Sequence, residues 1–151
     1  MANNLFVMIR VCIGSLFIVS GFGKLIAPYQ NFLYVVQSYE LFGSLLERVA
    51  VHIVPWCELF LGVFLVLGFG LKWVLRTLLT LITMFILILG QALIRDLPLA
   101  DCGCFGDFIS FPPPIMLLFD CALLFLVGLL IQQAEKTETL SLDRFFDQRG
   151  G

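Results

Sequence analysis

The sequence predicts an all-α, polytopic membrane four-helix bundle with an amphipathic interfacial segment between its first and second helices. Three observations carry this. The 151-residue chain is 60% hydrophobic and only 13% charged, against about 45 to 50% and about 25% in soluble globular domains. Its mean hydropathy is +1.03. Four stretches, 5–26, 49–71, 73–94 and 115–131, approach the roughly 20 apolar residues that cross a hydrocarbon core of about 30 Å. A net charge of −2 gives no basic face of the kind nucleic-acid binders present. The lipid bilayer is therefore the expected environment, and nucleic acid is not an expected partner.

The first stretch has neither a charged segment before it nor a small-residue cleavage site after it, so it reads as a retained helix and not a signal peptide. Along it Arg10, Gly14, Phe17, Gly21 and Lys24 recur at intervals of three and four, which puts them on one helix face. Glycines permit close helix approach, and ionisable residues within spans usually face the bundle interior. Residues 29–48 are amphipathic, and an interfacial helix lying on lipid is their simplest use. Trp56 and Trp73 bracket the second span, and 17 residues place them roughly 25 Å apart, which fits two aromatic belts. On that spacing Glu58 lies about 3 Å below the outer belt, and Pro55 falls in the first helical turn. The third span repeats an inward pattern with Thr77, Thr80, Met84, Ile88 and Gln91. Residues 95–114 form a loop, and a polar tail follows the fourth span. The expected organisation is one transmembrane domain over 1–135 and a polar cytoplasmic tail over 136–151.

Cytoplasmic loops carry excess Lys and Arg. With both termini inside, Arg10, Lys72, Arg76, Lys136, Arg144 and Arg149 lie on the cytoplasmic side, against Lys24, Arg48 and Arg95 opposite. The bias favours an N-in, C-in, multi-pass protein whose 95–114 loop faces a compartment where disulfides persist. Lys24, Glu58, Gln91 and Asp120 are all expected near that outer end. They could converge into a cluster that relays protons, or Lys24 could pair with a carboxylate simply because buried charges are normally paired. Arg10 reads as a residue snorkelling to the inner interface.

Within the loop stands ADCGCFGD. Cys12 and Cys121 lie in apolar helices, where a thiol behaves as a small hydrophobe, but Cys102 and Cys104 have only Phe105 to pack against. A disulfide across Gly103 would close a very small ring, and strain makes such a bond easier to reduce. Exposed, strained disulfides tend to be labile or catalytic. Asp101 and Asp107 add like charge that disfavours thiolate. Other readings stay open. A zinc site would need two further ligands, for which His52 and Cys57 are available, but structural zinc usually repeats its paired spacing, and no metal is expected. A staple could join Cys57 to one loop cysteine, or Cys57 could be a relay thiol exchanging with the pair.

The chain resembles the MauE branch of the MauE/DoxX group of small membrane proteins, the methylamine-utilisation protein MauE family. The likeness covers about residues 5–131 and is carried by GFGKLIAP, SYELF, PWCELFLGVFLVLG and, most specifically, DCGCFGD. It implies a four-helix bundle in a bacterial inner membrane that forms or handles disulfides outside the cytoplasm with a thioredoxin-like partner or a disulfide-containing client. Some members are tied to maturation of the small subunit of methylamine dehydrogenase. By position, Cys102 and Cys104 would be the redox pair, with Lys24 and Glu58 in the polar outer cluster. Relatives in the DoxX branch are associated with sulfur compounds and quinones; a quinone between the helices would be one electron sink, though no residue pattern selects it. The expected function is thiol-disulfide exchange. Its rivals are a non-catalytic membrane assembly factor docking a periplasmic protein, a DoxX-type quinone-linked sulfur-metabolism subunit, and a transporter. The last is disfavoured by the lack of repeated broken helices.

Overall fold

The computed structural model describes residues 2–39, 43–95 and 112–133. Among the described residues the chain forms five helices: α1 (Ala2–Ile26), α2 (Tyr29–Ser38), α3 (Ser44–Leu67), α4 (Leu71–Ile94) and α5 (Pro113–Gln132). Helix is the form these apolar runs must take in lipid, because it satisfies every backbone N–H and C=O within one segment. Four helices are long and apolar enough to cross a membrane: Asn4–Ile26, Leu45–Leu67, Leu71–Ile94 and Pro113–Gln132. Their outward faces carry large apolar side chains such as Ile94, Trp73, Leu118, Phe125 and Leu87, a surface that in water would expose an apolar patch.

Breakers set the boundaries. Pro28 stands before α2, and Gly43 caps α3. Gly68 and Gly70 adopt φ of 71° and 59°, and the N–H groups of Gly68 and Phe69 both donate to the Phe64 carbonyl. This left-handed corner ends α3 at Leu67, four residues before the predicted end. Gly68→Ala is expected to cost about 1 to 2 kcal/mol, the cost of a Cβ in the left-handed region, read as a lower unfolding midpoint in detergent. Pro113 and Pro114 occupy the first positions of α5, where a missing N–H costs little.

The predicted interfacial segment 29–48 divides. Only Tyr29–Ser38 forms the separate helix, while Ser44 to Arg48 belong to α3. Pro55 therefore lies inside α3 and not in its first turn. Trp56 sits at the midpoint of the apolar stretch Leu45–Leu67, away from the helix end where the belt reading put it. Nor does α2 only lie on lipid. Tyr29 meets the His52 ring of α3 at 5.0 Å, and Tyr39 is buried with Leu89, Ala92 and Met116 of α4 and α5. The segment thus crosses the bundle from α3 to the α4–α5 side.

The four long helices run up, down, up, down, with α1 packed chiefly on α3 and α4 on α5. Glycine brings the first pair together. A Cβ on Gly62 would stand 2.7 Å from the Gly14 carbonyl oxygen and 2.8 Å from the Ile18 nitrogen; one on Gly21 would stand 2.7 Å from both Leu59 N and Pro55 O. Ile13, Phe17, Leu65, Leu78, Ile82 and Val127 contribute to the core joining all four.

The α1 face predicted from spacing is buried at every position, Arg10, Gly14, Phe17, Gly21 and Lys24. Arg10, 2% exposed, is covered by protein and does not snorkel. The α4 stripe is the opposite case. Thr77, Thr80 and Met84 are exposed, while Leu71, Val74, Leu75, Leu78 and Ile82 face inward. The hydroxyls of Thr77 and Thr80 donate to the carbonyls of Trp73 and Arg76. Bonding back one turn satisfies a hydroxyl without a neighbouring helix, so threonine spacing did not mark an inward face.

Candidate functional site

The close α1–α3 contact determines what happens one turn further on. Lys24 follows Gly21 on the same face of α1, and Glu58 precedes Gly62 by one turn of α3. With the backbones already nearly touching, the two side chains meet. Lys24 Nζ donates to Glu58 Oε1 at 2.6 Å and to Oε2 at 2.7 Å. It also donates to Ser20 Oγ at 3.1 Å, and Ser20 Oγ donates to Glu58 Oε2 at 3.1 Å. All three ammonium donors are thereby used. Both charged side chains are about 1% exposed. The Phe32 and Phe85 rings lie 5.4 and 5.6 Å from the ammonium, within range of a cation–π attraction.

The helices are staggered at this point. Lys24 is two residues from the end of α1, whereas Glu58 is fourteen residues, roughly 21 Å, beyond the start of α3. The ion pair thus lies deep within α3, not 3 Å beneath its outer end. Where α1 stops, α2 fills the bundle.

Two cavities adjoin the pair. The larger, about 330 Å³, is lined by apolar residues of α2, α3 and α4, including Phe32, Val36, Val49, Ile53, Phe85 and Leu89, with Lys24 at its wall. Its volume is that of a small-molecule site, and its lining suits a lipid-soluble ligand. The smaller, about 20 Å³, lies on the other side and is lined by Ser20, Glu58, Phe85 and Asp120 among others. Asp120 is 5% exposed, and its Oδ2 has no hydrogen-bond partner.

Of the residues picked out from sequence, the fold gathers Lys24, Glu58 and Asp120. Gln91 stays apart: it lines neither cavity, and its buried Oε1 lacks a hydrogen-bond partner. Ser20, which bonds both members of the pair, was missed. Its signal was its place one turn before Lys24. Cys57 is a free, half-buried thiol beside an open groove with His52, Trp56 and Phe60. His52 Nδ1 donates to the Arg48 carbonyl at 2.8 Å. Cys12 and Cys121 are free and on the outer surface. Asp101, Cys102, Cys104 and Asp107, with the tail, lie outside the described residues.

Comparison with curated proteins and with solved structures gave no significant match. The family model described as Methylamine utilisation protein MauE matches residues 2–133, from the first turn of α1 to the end of α5, so the match includes the buried ion pair as well as the DCGC segment. The chain belongs to the MauE family of multi-pass membrane proteins, linked to methylamine utilisation.

Proposed function

We propose that this protein is an inner-membrane thiol-disulfide exchanger, with Cys102 and Cys104 as its redox pair on the extracytoplasmic side and both termini in the cytoplasm. One observation carries the reading: a Cys-Gly-Cys pair between acids, in the sequence between α4 and α5 of a MauE-family membrane protein. The end of α4 and the start of α5 meet where the residue after α2 packs, Leu89, Ala92 and Met116 forming one cluster with Tyr39. In the exchange a thiolate of a reduced partner attacks one sulfur of the Cys102–Cys104 disulfide and forms a mixed disulfide. The partner's second thiol then displaces that sulfur. The partner is oxidised by two electrons, the pair becomes a dithiol, and the two protons of the partner's thiols end on Cys102 and Cys104. A thioredoxin-like protein or a disulfide-containing client fits this chemistry, and methylamine dehydrogenase is a client consistent with the family's description. Lys24, Glu58 and Asp120 handle accompanying protons at the buried end of the system.

Thiol trapping tests the proposal. In oxidised membranes Cys102 and Cys104 are expected to resist alkylation until a reductant is added. Replacing the partner's second cysteine, the resolving thiol, by serine should accumulate a mixed disulfide with the loop pair, and Cys102→Ser with Cys104→Ser should abolish partner oxidation. If both thiols are freely alkylated in oxidised membranes, the reading fails. Intact partner maturation in the double variant would instead identify an assembly factor, with the exposed side of α2 around Tyr34 as its docking surface. A relay role for Cys57 predicts that Cys57→Ser slows exchange as much as loss of a loop cysteine does.

A further inference from the structure

One cation and two carboxylates meet in the interior of the bundle, and the arithmetic of their charge is incomplete. Lys24 spends all three donors on Glu58 and Ser20, which leaves Asp120 without a share of the ammonium's hydrogen bonds. Asp120 is 5% exposed, and its Oδ2, buried and without a hydrogen-bond partner, adjoins the cavity it shares with Ser20 and Glu58. No other charge among the described residues faces it there. α1 offers Ser20, α3 offers Glu58, and α4 offers only Phe85; Lys24 stands behind them, bonded to Ser20 and Glu58. α2 contains no charged residue. Arg10 shares the α1 face but lies fourteen residues, roughly 21 Å, from Lys24.

A bare second carboxylate in such a place carries a large desolvation cost, and charges held within a membrane mark proton or substrate pathways. A cavity of about 20 Å³ exceeds the roughly 10 to 15 Å³ that one water requires, and Asp120, Ser20 and Glu58 give that water the two to four polar partners it needs.

We propose that Asp120 holds a proton in the resting protein and exchanges it with the Lys24–Glu58–Ser20 network through one water seated in the cavity between them. The four side chains then form a single site that stores one proton, neutral as a whole: ammonium, carboxylate and carboxylic acid. The site's service to disulfide exchange rests on the reading given above; the stored proton does not.

Infrared spectroscopy of the full chain in lipid nanodiscs tests this. The expected spectrum at neutral pH contains the carbonyl stretch of one buried carboxylic acid, which shifts down in D2O. The same band should move when aspartate is labelled with ¹³C at its side-chain carboxyl, a readout that needs no substitution. It should vanish in Asp120→Asn. It should also vanish in Glu58→Gln, where Asp120 becomes the only carboxylate facing Lys24 and gives up its proton. Cys102→Ser with Cys104→Ser should leave it intact, so a failure of the thiol chemistry and a failure of the proton site are read separately. The absence of such a band in the wild-type protein overturns the proposal. So does a band that follows labelled glutamate, one that ignores D2O, or one that survives Asp120→Asn.

Discussion

Glu58→Ala is expected to lower the stability of the folded bundle by about 3 to 5 kcal/mol, the usual cost of removing one partner of a buried ion pair. The loss follows from what remains. Lys24 would keep its charge inside the bundle with Ser20 and two phenylalanine rings as its neighbours and only Asp120, which it does not hydrogen-bond, as a counter-charge, a poorly compensated cation in an apolar setting. Lys24→Met should have a comparable effect, since it strands Glu58 beside Asp120. Joining the changes, Lys24→Met with Glu58→Met, should recover much of the loss, because a buried pair replaced by apolar side chains of similar volume is often neutral or stabilising. Ser20→Ala should cost only about 1 kcal/mol, the net worth of an ordinary hydrogen bond. Denaturant titration in mixed micelles measures all four proteins. Single variants as stable as the wild type would show that the pair is not the closed, buried contact described here.

Gly62→Leu should be comparably damaging, by a different route. The new Cβ would stand 2.7 and 2.8 Å from backbone atoms of α1, and backbone cannot rotate out of the way. Overpacking typically costs about 1 to 3 kcal/mol, and here α1 must move off α3. That movement also draws Lys24 away from Glu58, so the variant should lose part of the ion pair along with the packing. Gly62→Leu combined with Lys24→Met should therefore be less destabilising than the two separate losses added together, the signature of coupled sites. Gly90→Ala and Gly128→Ala provide controls within the same protein. Nothing lies within 4 Å of a Cβ at either position, and alanine is the better helix former by about 1 kcal/mol. They should leave stability unchanged or raise it.

Much of the fold was legible because lipid simplifies the code. Long apolar runs can only become helices, so the four spans followed from composition, and the α1 face followed from a spacing of three and four that carried charge and glycine together. Where the signal was a single weak polar type, it misled. Threonine at 77 and 80 has the spacing of an inward face, but each hydroxyl satisfies itself on its own helix and needs no neighbour. The start of α3 is harder to read, because residues 44 to 48 look amphipathic like α2, while Gly43 caps the helix there and its carbonyl accepts from the N–H groups of Leu46 and Glu47.

The candidate site shows the same division. Lys24, Glu58 and Asp120 could be picked out individually, since an ionisable residue in an apolar span is costly and rarely idle. Their partnership could not be read. Which carboxylate takes Lys24 depends on how closely α1 approaches α3 and on the stagger that sets the end of one helix against the middle of the other. Ser20, neutral and small, offers only its place one turn before Lys24, a weak signal that gains meaning when the hydroxyl is seen bonded to both charges. Gln91, as prominent in sequence as Asp120, turns out to lie off the cluster.

The sequence alone determined that this chain lives in a membrane as four helices and which side chains would be expensive to bury there, because hydrophobic transfer and backbone satisfaction are local demands that each segment meets alone. Only the tertiary structure decided which charges are spent on each other and which carboxylate is left over. Pairing depends on separations of 2.6 to 3.1 Å, and distances that short between residues 34 and 38 positions apart are fixed by the packing of helix against helix.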